Sequence, residues 1–452
     1  FGIGKLKLSV LKDGIHRIFY DSLASVDGFP DQFIDSRTLQ LHNQGQEEPI
    51  YVYDGGDGRF DSGDYLDFIG QQKYDAGHSQ YFDAYTDINV YWLDWGETQG
   101  LRLVDESGAL VALDPVRPST FWDEIHIEED LAFERLGQVD TDLPSTTRDH
   151  YFWTFVHSGR TVEAEFFLPN PFRGSSENVD IALGLHGLTY SEEAGEVSEH
   201  SLFAFLNDNS IGEAGWTQQE EYVLTSPNSL NLSHNILAQS GDNTLALFTP
   251  VSTEPGNYDK IVLNWVEVGY EHMLKAHNNA LKFRKSFMNP STNLEFEVKG
   301  FTSHEMVLYK EGISRMTGFS IRENWESAQP EYSLVFQDVV SDATPDYWVA
   351  SVDGLEKPIK MIMDTTASIR NLDGDFIIIT IPSFINELDE YMDFKQDEGW
   401  SPIAVSVSDV YDEFNYGINS HLAIKSFLKY ANENWPSGPE YVLFIGDAIS
   451  NP

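Results

Sequence analysis

Phe376-Ile377-Ile378-Ile379-Thr380-Ile381, Ile403-Ala404-Val405-Ser406-Val407 and Tyr441-Val442-Leu443-Phe444-Ile445 decide the fold of the carboxyl-terminal part of this sequence. A continuous β-branched run such as the first is the pattern of a strand covered on both faces in a parallel sheet. Between the first two runs, Ser383 is placed to cap a helix that puts Phe384, Leu388 and Tyr391 on one face and stops at Glu398-Gly399. Between the second and third, Ile424, Phe427, Leu428 and Ala431 recur at helical spacing, from near Ser420 to just before Trp435-Pro436. Asp373-Gly374-Asp375 reads as a plain turn ahead of the first strand. Strand, helix, strand, helix, strand is the opening of a doubly wound α/β domain over 371–452, with the three strands in one parallel sheet. Such sheets usually have about five or six strands. The reading therefore expects the leading part of a longer protein, or one product of a cleavage after Pro452.

Upstream the periodicity changes to short apolar and polar alternation punctuated by Gly, Asp, Asn and Pro, which predicts β structure. A first β domain is expected over 1–120, with strands at Ile15 to Tyr20, Leu39 to His42, Ile50 to Tyr53, Tyr65 to Phe68 and Asn89 to Trp95. A β-sandwich of the jelly-roll kind is expected over 121–290. Its strands are Phe152 to His157, Val162 to Phe167, Val179 to His186, His200 to Leu206, Glu221 to Leu224, Leu245 to Phe248 and Ile261 to Tyr270, with a turn at Asn207-Asp208-Asn209. A smaller β domain is expected over 291–370, around Leu294 to Val298, Tyr332 to Phe336 and Tyr347 to Ala350. The fold class is thus multidomain and mainly β, followed by the first half of a doubly wound α/β domain.

The chain has 452 residues, enough for roughly three domains. Its 28 Lys+Arg against 73 Asp+Glu give a net charge of -45. That field repels phosphate backbones and anionic headgroups, which argues against nucleic-acid partners and acidic membrane surfaces. With 41% apolar residues and 29 Phe, 21 Tyr and 10 Trp, the sequence can nevertheless build large cores, unlike an acidic disordered tail. No apolar run is long enough to span a membrane, so no membrane insertion is expected. The start at Phe1-Gly2-Ile3-Gly4 reads as mature or trimmed. Such acidity suits a protein exposed to salt water or calcium-rich fluid, or an acidic cytoplasmic one. Cysteine is absent, which removes disulfides, thiolate metal sites and any cysteine nucleophile from these residues.

Three features could carry chemistry. In Asp54-Gly55-Gly56-Asp57-Gly58-Arg59-Phe60-Asp61-Ser62-Gly63-Asp64, the carboxylates of Asp54, Asp57, Asp61 and Asp64 offer hard oxygen ligands for calcium, although the spacing is not that of an EF-hand. A hairpin loop rich in turn residues accounts for the same composition. Asp447 follows the third strand of the α/β part, where ligands approach open sheets. It could line a cleft, bind a metal or orient a loop, or simply accept backbone N–H bonds of the next turn. Third, Leu263-Asn264-Trp265-Val266-Glu267-Val268 sets a Trp and Glu face against a valine face. The aromatic face suits a carbohydrate platform or, as Phe and Trp more often do, sandwich packing.

The segment Val410-Tyr411-Asp412-Glu413-Phe414-Asn415-Tyr416-Gly417, then Ala423-Ile424-Lys425-Ser426-Phe427-Leu428-Lys429-Tyr430, then Tyr441-Val442-Leu443-Phe444-Ile445-Gly446-Asp447 resembles the start of the gingipain-like cysteine peptidases. Asp13-Gly14-Ile15-His16-Arg17 and Tyr85 to Leu93 agree with it upstream, as does a central sandwich ending in Tyr270 and Leu281-Lys282-Phe283. The resemblance implies a caspase-like α/β domain and a secreted or cell-surface protein of the type IX secretion route of the Bacteroidetes lineage. It implies a protein or peptide substrate, a cell-surface partner and the chain's own C-terminal continuation as partners. Family members use a histidine in a Gly-His-Gly type segment as general base and a cysteine at the end of a later strand as nucleophile. Both would lie beyond residue 452, so no catalytic residue is expected in this chain. None of its 13 histidines can be carried over, and His186 in Leu185-His186-Gly187 reads as structural. The alternative is a non-catalytic cell-surface or glycan-binding β-sandwich protein with a degenerate peptidase-like domain.

Overall fold

The run Phe376–Thr380 is the central strand of a three-stranded parallel sheet, flanked by Pro402–Ser406 on one side and Tyr441–Ile445 on the other. All five residues of the central strand are buried, as its unbroken β-branched sequence requires. The computed structural model describes residues 6–30, 32–74, 81, 83, 85–134, 149–189, 200–226, 231–251, 258–285, 292–325, 330–340, 345–364 and 368–446. Ile377, Ile379 and Val405 pack one face of the sheet against Val410, Ala423, Phe427 and Ala431. Phe376 and Ile378 pack the other against Leu388, with Tyr391 and Met392 beside them. Helices therefore cover both faces, the doubly wound arrangement.

Two helical details differ from the sequence reading. Ser383 is not a cap: Pro382 opens a 3-10 turn over Pro382–Glu387, and the α-helix proper is Asp389–Asp397. Proline fits the first position because its missing N–H would have no partner there. Gly399, at φ 96°, supplies the left-handed stop. Val407 does not finish the second strand but starts a further helix, Val407–Asn415, with the Ser406 hydroxyl accepting from the Ser408 N–H at 3.2 Å. Val407, Val410, Tyr411 and Phe414 place one apolar face on the sheet. The helix His421–Asn434 begins as expected, Ser420 capping the Leu422 N–H at 3.1 Å. Asp373 and Asp375 do more than turn the chain: Asp373 accepts from the Ser437 N–H and hydroxyl, and Asp375 from the Ser401 N–H at 2.7 Å.

The chain divides into two compact units. One comprises Phe1–Glu106, Tyr309–Arg315 and Leu355–Pro452, the other Ser107–Leu308 and Met316–Gly354. The segment expected as a separate 291–370 domain is thus shared between them, because two of its pieces return to the first unit.

In the first unit, Leu6–Val10 lies between Asn89–Asp94 and Lys360–Met363 in a five-stranded sheet. Leu6, Leu8, Val10, Leu41, Tyr91 and Leu93 enter its core with Ile18, Leu66 and Phe68 of a second, three-stranded sheet. Arg17 forks onto Asp67 with two bonds of 2.7 Å, and the Tyr309 hydroxyl donates to the same carboxylate at 2.7 Å. Asp67 is fully buried. The carboxylate beside it and burial raise the Tyr309 phenol well above its usual range, burial being the larger cause.

The second unit holds a β-sandwich. Thr154–His157, Lys260–Met273, Asp180–Gly187 and Glu221–Thr225 form one sheet, with Thr120–Glu128 also on Lys260–Met273. Arg160–Phe167, Asp242–Thr249, His200–Leu206 and Asn209–Trp216 form the other. Leu183, Leu185, Leu202, Leu206, Leu245, Leu247 and Ile261 fill the space between. Asn207 and Asp208, both at positive φ, make the tight hairpin before Asn209–Trp216. A second core, built on Phe283, Phe296, Phe336 and Tyr347, gathers Thr292–Phe301 and Glu331–Val340.

Two stability predictions follow from this packing. Asp67→Ala leaves the Arg17 guanidinium sheltered without its carboxylate and should cost about 3–5 kcal/mol in urea unfolding, as for other broken buried pairs. His272 is 1% exposed, and burial pushes it down to about 4 from 6.5. Its neutral form is the folded one, so its contribution is complete above the unfolded value and is lost as pH falls through 6.5 toward 4. Relative to the parent, His272→Leu should therefore gain about 2 kcal/mol between about pH 7.5 and about pH 5, read from urea midpoints at the two pH values.

Candidate functional site

The strand order reverses about Phe376–Thr380: the connection to Pro402–Ser406 runs over one face of the sheet, and the return to Tyr441–Ile445 over the other. In open α/β sheets this reversal opens a crevice at the carboxyl ends of the strands. Three residues define those ends here, Thr380, Ser406 and Ile445, which the parallel register places side by side. The buried Thr380 hydroxyl donates to the Ile445 carbonyl at 2.8 Å and holds two strand ends together. Ser406 shares a 2.7 Å hydroxyl–hydroxyl bond with Ser408 at the start of Val407–Asn415. These polar groups line a floor that can orient a loop. None is a nucleophile paired to a base, and the serines are occupied in capping.

Asp447, the residue expected to line this cleft, lies outside the described residues, as does everything after Gly446. His421 is the single histidine in 369–452. It starts a helix with its ring 4.7 Å from that of Tyr85, and burial lowers its pKa. His186 is buried in Asp180–Gly187 of the sandwich, its ring 6.3 Å from Phe152.

Three of the four carboxylates of the 54–64 loop accept hydrogen bonds from the loop's own backbone. Asp54 accepts from the Gly56 N–H at 3.0 Å and the Ser36 hydroxyl at 2.6 Å, and Asp57 from the Arg59 N–H at 2.9 Å. Asp64 accepts from the Asp61 N–H at 2.8 Å, while Asp61 pairs with Arg59 at 3.4 Å. Burial, then the charges of Asp61, Asp57 and Asp54, raises the Asp64 carboxyl above its ordinary value. Among the described residues, no group of three or more His, Cys, Asp or Glu is arranged to hold a metal ion.

Trp265 is half-buried, on the face of its strand opposite the core residues Val266 and Val268. It stands against Gly184, where a Cβ would come within 2.4 Å of the indole nitrogen, and its ring lies 5.5 Å from His126. The glycine is what lets the indole lie against the strand. Trp265 and Glu267 share one face of the strand and Val266 and Val268 the other, as the alternation predicts, and the register shift falls just before them, pairing Leu185 with Leu263 and Gly184 with Trp265 and leaving Asn264 as the extra residue.

The sequence model of the family described as Peptidase family C25 matches residues 369–452. Among curated proteins, none matches the sequence. Among solved structures, dimeric latent PorU from Porphyromonas gingivalis superposes on 98% of this chain with a TM-score of 0.61 at 13% identity. This chain spans 41% of that one, and at this identity the likeness concerns the fold. The CBM36-1 domain of a multidomain xylanase from the hindgut metagenome of Trinervitermes trinervoides covers 32% of this chain at 11% identity, with a TM-score of 0.20, too low to bear on the fold. Residues 369–452 thus match the model of peptidase family C25, the gingipain family, and are preceded in this chain by β modules.

Proposed function

We propose that this chain is the N-terminal region of a secreted gingipain-like cysteine endopeptidase. In this reading the β modules act as pro-region, spacer or substrate-presenting arm, and the catalytic histidine and cysteine are supplied beyond residue 452. The observation that carries the proposal is the parallel sheet within 369–452, the stretch matched by the family, in a chain with no cysteine. Acyl transfer through a thiolate needs a sulfur that these residues do not contain. A second observation supports further strands and helices on the same sheet. Val442 and Phe444 of Tyr441–Ile445 are 38% and 59% exposed, beside the wholly buried Ile377 and Ile379 of the neighbouring strand. The partners are then a protein or peptide substrate and the chain's own continuation, at the cell surface or outside the cell by the type IX route.

Cleavage of an unfolded protein substrate by the 452-residue chain and by a longer chain carrying the continuation separates the readings. The short chain should be inactive and the long one active, with activity abolished by thiol alkylation. Activity in the short chain, or an inactive continuation lacking both a Gly-His-Gly type segment and a later cysteine, would refute the proposal. Calcium at the 54–64 loop is a weaker companion proposal, because Asp54, Asp57 and Asp64 already bond N–H groups of the loop. A melting temperature higher in calcium than in chelator, and no longer so in Asp61→Asn, would support it. Equal melting temperatures would remove it.

A further inference from the structure

We infer that the outer face of one sandwich sheet is a saccharide platform, built on Trp122 and Trp265 and taking a neutral, extended oligosaccharide. Thr120–Glu128 pairs with Lys260–Met273, which pairs in turn with Asp180–Gly187. Ile125, Val266, Val268 and Leu183 of these strands turn toward the core. Alternation then sets Trp122, Glu124, His126, Trp265 and Glu267 together on the opposite face. Both indoles lie over glycines: a Cβ on Gly184 would run into the Trp265 ring, and one on Gly269 would come within 2.7 Å of the Trp122 ring. Glycine in a strand permits so close an approach, and a ring laid against the backbone by one face turns the other outward. The Trp122 indole N–H donates to Glu124 at 3.3 Å. His126, its side chain only 6% exposed, has its two ring nitrogens 3.0 and 3.1 Å from Glu267 and Glu128, and its ring 5.5 Å from that of Trp265. Val223, the partner of Gly184 on the next strand, extends the face as an exposed apolar residue.

Neither indole belongs to the sandwich core, which leaves both half-buried rings to be accounted for. Trp265 and Gly269 are four residues apart on one strand, so the two rings are separated by about 13 Å along it. A ligand that covers both must be extended and must offer flat apolar surface on one side with polar groups at its rim. A pyranose chain has that form. The C–H face of a sugar meets the electron-rich face of an indole, and its hydroxyls donate to carboxylate oxygens. The Glu267 side chain is 52% exposed and keeps acceptor capacity beyond its contact with His126. The carboxylates around the rings, in a chain of net charge -45, repel an acidic polysaccharide. A basic peptide fits less well, because Glu128 and Glu267 already face His126 and Glu124 already holds an indole N–H. The platform is a property of the sandwich and does not rest on the peptidase reading.

Titration calorimetry of the 452-residue chain with the neutral, β-linked hexasaccharides cellohexaose, xylohexaose and mannohexaose, and separately with hexalysine, tests it. At least one hexasaccharide should bind, and hexalysine should not. Trp265→Ala and Trp122→Ala should each weaken that binding about tenfold, the loss of one stacked ring. Trp265→Phe should restore part of it, and Glu267→Gln should weaken it less than either alanine. No binding of any of the three sugars at about 1 mM, the weak end of specific recognition, would overturn the inference. So would sugar binding that both alanine variants leave unchanged, or binding of hexalysine in preference to the sugars. Should an alanine variant fail to fold, as its melting curve would reveal, Trp265→Phe and Glu267→Gln decide: parent affinity in both would overturn the inference.

Discussion

The pairing of Leu6–Val10 with Lys360–Met363 is the contact on which the first unit depends. It joins two strands separated by most of the chain, with the whole second unit between them in sequence. Closing so long a loop costs only slightly more than closing a short one, because the entropy grows with the logarithm of its length. What the pairing secures is position. Lys360–Met363 is followed by the turn Ile369–Asn371 and then by Phe376, so the β-sheet and the α/β sheet are consecutive in the chain. The opposite face of Leu6–Val10 then meets Val407–Asn415 through Lys7 and Asp412, and Trp92 meets Tyr416.

Arg17, Asp67 and Tyr309 close the same unit from another direction. A buried carboxylate is costly unless every oxygen is answered, and here a guanidinium fork and a phenol answer both. Tyr309 comes from a short excursion, Tyr309–Arg315, of a chain otherwise in the second unit at that point. The polar cluster thus fixes where that excursion sits, which apolar contacts alone specify less sharply.

The gingipain-like segment shows how much of a fold local pattern can carry. The β-branched run at 376–381, the Ser420 cap and the stop before Trp435-Pro436 were legible because each is decided by neighbours three or four residues away. The helix Val407–Asn415 was not, since Val405-Ser406-Val407 continues a strand pattern until the Ser406 cap turns it. Its apolar spacing, Val407, Val410, Tyr411 and Phe414, was the available signal. Asn209–Trp216 was missed because NSIGEAGW carries too few β-branched residues, and it becomes a strand by pairing with His200–Leu206. Asp447 was singled out by its place after a strand, and the described residues stop just short of it.

The sequence by itself determined the chemistry that is absent and the periods that are present. With no cysteine there is no thiolate, whatever the fold, and with period-two and β-branched runs there are sheets of two kinds. Tertiary structure alone decided which strands are neighbours, that Trp265 lies against Gly184, and that Lys7 meets Asp412. The reason is one of range. Side-chain alternation is set by backbone geometry within a few residues and leaves its mark in sequence, whereas a partner hundreds of residues away is selected by shape, burial and charge after the chain has folded back.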